Sequence, residues 1–107
     1  MFALRLDNGE RVWYTAPEPC ARPRCSPAQS AAVSAIPGVV FSGSVDGHLR
    51  AYASAGGKVV WDFDTAQNFE TVNGVPGHGG SLDGPGAAFR FYACHRHRTG
   101  SATWLTY

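Results

Sequence analysis

The 107-residue sequence predicts an all-β chain made of short antiparallel strands that are joined by tight turns. Three observations support this prediction: short segments of alternating apolar and polar residues, many turn-forming residues, and an internal repeat of a two-strand unit. Thirteen Gly and seven Pro residues favour frequent turns over long helices. Apolar residues make up 44% of the chain and charged residues 16%, a composition typical of a folded domain rather than a disordered segment.

The first predicted pair of strands lies near the start of the sequence. Residues 2–6 alternate weakly between apolar and polar side chains. Asp, Asn and Gly in segment 7–10 supply turn chemistry, and residues 12–15 are rich in β-branched and aromatic types. This pattern predicts a β-hairpin.

Four more strands are predicted between residues 31 and 64. They cover residues 31–35, 39–44, 48–53 and 59–63. The turn dipeptides Pro37-Gly38, Asp46-Gly47 and Gly56-Gly57 separate them. The segment is therefore predicted to be one antiparallel meander of the size of a β-propeller blade, with Trp61 buried in its last strand. In this arrangement Asp46 is interpreted as a turn residue and Asp62 as a solvated strand residue.

An internal repeat links the two groups of strands. Residues 3–13 and 51–61 share Ala, Gly, Val and Trp at four of eleven aligned positions, and 48 residues separate Trp13 from Trp61. A period of ~40 to 50 residues with one Trp per repeat is typical of stacked four-stranded blades, because one blade cannot bury both of its faces alone. The sequence therefore predicts a partial β-propeller of about one and a half four-stranded antiparallel blades with long loops.

Two long loops connect the predicted strands. Residues 16–30 contain four Pro and two Cys, and residues 65–86 are rich in Gly. Proline at such density interrupts both helices and strand ladders. A loop as long as residues 65–86 in a compact domain is usually functional.

The end of the sequence has a different character. Residues 87–107 contain no acidic residue, and only Thr99-Gly100 with Trp104 resembles the end of the repeat. The chain is accordingly divided into a propeller-repeat fragment, residues 1–86, and a divergent tail, residues 87–107, that is out of frame or disordered.

Charge and hydropathy narrow the classes of partner and location. Nine Lys and Arg against eight Asp and Glu give a formal charge of +1, so no basic face for nucleic acid is expected. No apolar run approaches the ~20 residues of a membrane span. No signal peptide is recognisable, which leaves a cytoplasmic protein or a piece whose targeting segment lies elsewhere.

Metal and nucleotide motifs are incomplete. Cys94, His95 and His97 lack the C-x-x-C-H spacing of haem attachment, because position 91 is Phe. With the distant His78 they do not have the ordered spacing of a zinc site, so accidental composition is the favoured interpretation. The segment from Gly77 to Ser81 lacks the Gly-Lys-Ser/Thr ending of a phosphate-binding loop.

The two Trp motifs resemble the tryptophan-docking repeat of PQQ-type quinoprotein dehydrogenases, whose ideal form is A-x-D-x-x-T-G-K-x-x-W. The matching positions are Ala3, Gly9, Trp13, Ala51, Gly57, Lys58 and Trp61. The Asp position is occupied by Arg5 and Ala53, and the Thr position by Asn8 and Gly56. The hydrogen bonds of those two family side chains are therefore not expected here.

The stretch from Ser26 to Gly86 looks like the polyvinyl-alcohol-dehydrogenase-like branch of the PQQ propellers. This resemblance implies a periplasmic or secreted enzyme that oxidises secondary alcohols with PQQ and calcium and passes electrons to a cytochrome. A complete propeller needs more blades than this chain provides. The chain alone is therefore expected to be inactive and to bind no cofactor, with the remaining blades or further copies of itself as its partners.

The resemblance also suggests roles for four residues. In a propeller dehydrogenase the Gly-rich loop would reach the central channel, where Ser81 and Asp83 would contact the quinone or its metal and Asp83 would act as a general base. The same loop is also an ordinary turn sequence. Cys20 and Cys25 would form a disulfide in an exported protein and remain free thiols in a cytoplasmic one. The alternative function is a non-catalytic propeller-repeat scaffold or binding module.

Overall fold

Within residues 1–84, 86 and 87, which the computed structural model describes, the chain forms eight β-strands and no helix. The strands are β1 (Phe2–Leu4), β2 (Arg11–Tyr14), β3 (Ser34–Ile36), β4 (Val39–Gly43), β5 (His48–Ala53), β6 (Val59–Asp64), β7 (Asn68–Phe69) and β8 (Gly77–His78). They pair in three antiparallel sheets. In this described part no helix is long and apolar enough to cross a membrane.

The largest sheet has the order β3-β4-β5-β6, so each strand pairs with its neighbour in sequence. This confirms the predicted four-stranded meander. Gly38 and Gly47 adopt φ values of 84° and 89° in the two tight turns that flank β4. Such positive values favour glycine, because a side chain at these positions would strain the backbone. The all-β fold class and its partial-propeller architecture are thereby confirmed.

The first hairpin, β1–β2, has the same strand register as the outer hairpin of the large sheet, β5–β6. Ala3 pairs with Trp13, and Ala51 pairs with Trp61. In both hairpins the register shifts immediately after the Ala residue. The sequence repeat therefore corresponds to a repeat of strand pairing and of the bulge.

The turns of the two hairpins also match. The amide of Gly9 donates to the carbonyl of Arg5 over 2.9 Å, and the amide of Gly57 donates to the carbonyl of Ala53 over 2.8 Å. Gly9 and Gly57 have φ values of 71° and 75°. The two turns are thus interchangeable in backbone geometry, although their side chains differ.

The large sheet has one polar face and one apolar face. Cross-strand pairing places Ser42, Arg50 and Asp62 in one row on the polar face. The next row along, on the opposite face, contains Phe41, Ala51 and Trp61. Among the described residues the buried apolar core is small and consists of Ala31, Ala51 and Tyr52.

The prediction that Trp61 is buried is wrong. Trp61 is 46% exposed, and its ring stacks on that of Phe63 with centroids 6.0 Å apart. The reason is that its side chain projects from the apolar face of β6, where the rings of Trp61 and Phe63 are left 46% and 41% exposed within the described part of the chain.

The second predicted loop contains more structure than expected. Asn68 and Phe69 pair with His78 and Gly77 to form the short β7–β8 ladder. After it the amide of Leu82 donates to the carbonyl of Ser44, which fastens this loop to the large sheet. The loop of residues 16–30 contains no strand.

Candidate functional site

The polar face of the large sheet carries a buried ion pair between Asp46 and Arg50. Their side chains are only 6% and 5% exposed, and Arg50 Nη2 lies 3.0 Å from Asp46 Oδ2. Arg50 also donates to Ser44 Oγ over 2.9 Å and to Asp62 Oδ2 over 3.1 Å. Each terminal nitrogen and Nε thus has an acceptor, which a buried guanidinium requires.

The environment of Asp46 lowers the pKa of its carboxyl group. Burial by itself raises this pKa, because it penalises the charged form. Hydrogen bonds from the Ser44 hydroxyl and the His48 amide, together with the charge of Arg50, more than offset that effect. Asp46 is therefore held as a carboxylate that joins the β4–β5 turn to the sheet.

His48 and two carboxylates form the exposed end of the same network. His48 Nδ1 lies 2.6 Å from Asp62 Oδ1, and Nε2 lies 4.0 Å from Asp64 Oδ1. An Asp–His pair orients an imidazole for proton transfer in many enzymes. Here both ring nitrogens face carboxylates, so the geometry favours a clamp between β5 and β6 over a base presented to a substrate.

A disulfide-closed loop covers this network. Cys20 and Cys25 are joined in a disulfide, and Arg22 lies between them in sequence. The Arg22 guanidinium donates to the carbonyls of Ala66, over 3.0 Å, and Asp46, over 3.1 Å. A cleft of about 450 Å³ lies between this loop and strands β5 and β6. Its charged lining residues are Glu18, Arg22, Asp46, His48, Arg50, Asp62 and Asp64.

Sequence reasoning missed this network. Asp46 does lie in a turn, as predicted, but it is also buried and ion-paired. Asp62 is an exposed strand residue, as predicted, and it also pairs with His48 and Arg50. A usable signal was present in the sequence. His48 and Arg50 are two residues apart on one strand, which places both on the same face, and Asp46 lies two residues before the start of that strand.

Trp13 connects the first hairpin to the large sheet. Its Nε1 donates to the carbonyl of Ser54 over 2.8 Å, and Thr15 Oγ1 donates to the carbonyl of Gly57. A Cβ atom at Gly57 would collide with the Trp13 ring. Glycine is therefore required at position 57 both by the turn and by the indole that lies over it.

The two residues predicted to contact a cofactor lie on the surface. Ser81 and Asp83 are both exposed. Ser81 lines a small cleft of about 250 Å³ with Arg22 and His78, whereas Asp83 does not line that cleft. Ser81 and Asp83 are therefore not brought together in this cleft.

The described residues do not fit a complete PQQ and calcium site. Among them, no group of three or more His, Cys, Asp or Glu side chains is arranged to hold a metal ion. The predicted assignment of Cys94, His95 and His97 to accidental composition lies outside the described residues. No catalytic step is therefore derived from this chain alone.

A repeated Trp-bearing hairpin beside a four-stranded meander defines the chain as a propeller-blade segment. About 80% of the chain is 48% identical, over 91 residues, to the polyvinylalcohol dehydrogenase of a Pseudomonas species. It is also 40% identical, over 92 residues, to the polyvinylalcohol dehydrogenase of Sphingopyxis sp. strain 113P3. The chain is thus a segment of the polyvinylalcohol dehydrogenase family, and it spans 14% of the length of these relatives. No family model and no solved structure matches it significantly.

Proposed function

We propose that this chain supplies blades to a PQQ-dependent propeller dehydrogenase that oxidises the secondary alcohol groups of polyvinyl alcohol or a similar substrate. The observation that carries the proposal is the docking of Trp13 on the Gly57 turn. It joins two repeat units in a segment that is 48% identical to a protein named polyvinylalcohol dehydrogenase. The whole enzyme would use calcium with PQQ, transfer electrons to a cytochrome, and work in the periplasm or outside the cell.

In this proposal the chain is a structural part with a limited contribution to the active site. Residues 1–86 form the repeat fragment, and residues 87–107 are a divergent tail. Ser81 and Asp83 are the residues proposed to contact the cofactor, with other blades providing the rest of the pocket. Catalysis needs several groups held together in a productive arrangement, so the chain alone is inactive.

A chimaera tests the proposal. The matched segment of this chain replaces its counterpart in the Pseudomonas polyvinylalcohol dehydrogenase, and dye-linked oxidation of polyvinyl alcohol is measured with added PQQ and calcium. We expect the chimaera to retain turnover. A folded chimaera that binds PQQ but has no turnover would refute the proposal that the segment belongs to the dehydrogenase.

The same chimaera tests Asp83. Asp83→Asn is expected to lower kcat by about 100-fold, the lower range for removing a general base. Asp7→Asn is the matched control, because Asp7 is also exposed and its ion pair in the described part is with the nearby Arg5. Unchanged kcat in Asp83→Asn would remove Asp83 from the site.

The second candidate is a non-catalytic repeat used as a scaffold or binding module. One observation favours it: the buried charges of the described part are satisfied within the sheet, as expected of a structural network. If the segment is only a scaffold, the chimaera should still assemble. The Asp83→Asn substitution should then leave the turnover of the chimaera unchanged. The two measurements above therefore distinguish the candidates.

A further inference from the structure

The contact between Trp13 and the Gly57 turn has a donor side and an acceptor side. The donor is an indole on the second strand of a hairpin. The acceptor is the turn of another hairpin, which offers the Ser54 carbonyl and the open space above Gly57. Because the repeat is a structural one, each of the two repeat hairpins, β1–β2 (the first hairpin) and β5–β6 (the second hairpin), carries both a donor Trp and an acceptor turn.

One donor and one acceptor are left over within the described residues. Trp61 is the donor of the second hairpin and is 46% exposed. Gly9 is the acceptor of the first hairpin, and a Cβ atom placed there would meet nothing within 4 Å. Leu6, which occupies the position of Ser54 in the repeat, is fully exposed. The unoccupied turn at Gly9 therefore has nearly the same backbone conformation as the turn at Gly57 that Trp13 occupies. The φ values are 71° at Gly9 and 75° at Gly57.

We propose that these two surfaces bind each other in two copies of this chain, head to tail. The Trp61 indole of one copy lies over Gly9 of the next, and its N–H donates to the Leu6 carbonyl. The occupant is a second copy of this chain, because the chain already makes this same contact internally between its own two repeats. The proposal does not depend on the dehydrogenase activity.

The proposed contact between two copies lacks one hydrogen bond that the internal Trp13 contact has. Thr15, which donates to the Gly57 carbonyl, corresponds to Phe63 in the second repeat. That hydrogen bond is replaced by an apolar side chain that already stacks on Trp61. The Trp61–Phe63 pair thus presents an exposed aromatic surface to the partner turn, which suits a docking contact.

Head-to-tail contacts are heterologous, so they propagate until a ring closes. Each copy contributes two Trp-bearing hairpins. Since propellers have about four to eight blades, a ring would close with about two to four copies. Failure to close would instead give open chains whose length grows with protein concentration.

The test measures the molar mass of the full 107-residue chain by light scattering over a range of concentrations. We expect mass to rise above that of one chain as concentration increases. Trp61→Ala removes the donor and is expected to raise the dissociation constant by about thirty-fold or more, as is typical of truncating a central interface Trp. Gly9→Asn blocks the acceptor, since Asn tolerates positive φ and fills the space above the turn.

Two controls make the result specific. Gly38→Asn changes a glycine with a φ of 84° and equally open surroundings, and it is expected to leave association unchanged. A mixture of Trp61→Ala and Gly9→Asn contains one working donor and one working acceptor, so it should form a two-chain complex and nothing larger. Circular dichroism checks that each variant retains its strands.

Three outcomes would overturn the proposal. The first is a wild-type chain that stays monomeric at every concentration. The second is an oligomer that both folded variants leave unchanged, which would place the interface elsewhere. The third is a mixture of the two variants that remains monomeric although each variant alone has lost association.

Discussion

The Asp46 carboxylate shows how one residue can connect the stability of the sheet to pH. Its pKa is lowered in the folded chain, where the Ser44 hydroxyl, the His48 amide and the Arg50 guanidinium outweigh the effect of burial. A lowered folded pKa means that this stabilisation is complete above the ordinary value of 3.8 and is lost as pH falls through the folded value. We therefore expect the free energy of unfolding to fall steeply below about pH 4.

Asp46→Asn tests this expectation in urea unfolding between pH 3 and pH 7. The variant is expected to lose about 2 kcal/mol at pH 7, because it weakens a charged hydrogen-bond network. Its acid-dependent loss of stability should be smaller than that of the wild type. Asp7→Asn is the control, since the exposed Arg5–Asp7 pair contributes little. Equal acid sensitivity of the wild type and Asp46→Asn would contradict the role assigned to Asp46.

At the scale of elements, the hairpin repeat allows the same substitution to be compared at Gly9 and Gly57, which occupy equivalent turn positions. Gly9→Ala places a side chain at positive φ in open space, at an expected cost of about 1 kcal/mol. Gly57→Ala adds to that strain a collision with the Trp13 ring. We expect it to cost a further 1–3 kcal/mol, roughly the range for overpacking.

Urea unfolding of both variants, at protein concentrations where the chain is a monomer and Gly9 is uncovered, measures this difference directly. The two turns share backbone geometry, so subtracting the effect of Gly9→Ala isolates the contact between the first hairpin and the large sheet. In Gly57→Ala the first hairpin should also lose amide protection in hydrogen exchange. Equal destabilisation by the two substitutions would show that the Trp13 contact adds nothing to stability.

Short-range patterns in the sequence predict six of the eight described strands and miss the short β7–β8 ladder, which lies in the predicted loop of residues 65–86. The alternation of residues 48–53 and the turn signals around them gave β5 within its observed bounds. The exposure of Trp61 was not predictable from the same information, because it depends on what packs against that face of the sheet rather than on local pattern. The Asp46–Arg50 pair was missed for a related reason. Burial of a charge becomes visible only when turn, strand and disulfide loop are assembled.

At the scale of the whole molecule, the chain resembles a section cut from a larger ring of blades. One repeat contact is formed internally, while a donor Trp and an acceptor turn are exposed in the described part. The polar face of the sheet is closed by the disulfide loop, whereas Trp61 and Phe63 on the apolar face remain 46% and 41% exposed. The surfaces available for association are therefore those that join blades, and they are separate from the exposed Asp83.

This separation predicts how the isolated chain responds to the proposed cofactor. In the proposed propeller dehydrogenase the quinone would be contacted from several blades, so a pocket would require groups held together by more blades than this chain supplies. Asp83 without those neighbours is an exposed carboxylate. We expect titration of the purified chain with PQQ and calcium to give no stoichiometric sub-micromolar binding and no dye-linked alcohol oxidation. The Pseudomonas-based chimaera serves as the positive control. Tight binding with turnover that disappears in Trp61→Ala would instead show that head-to-tail copies rebuild the pocket, and it would refute the proposal that the chain is inactive without further blades.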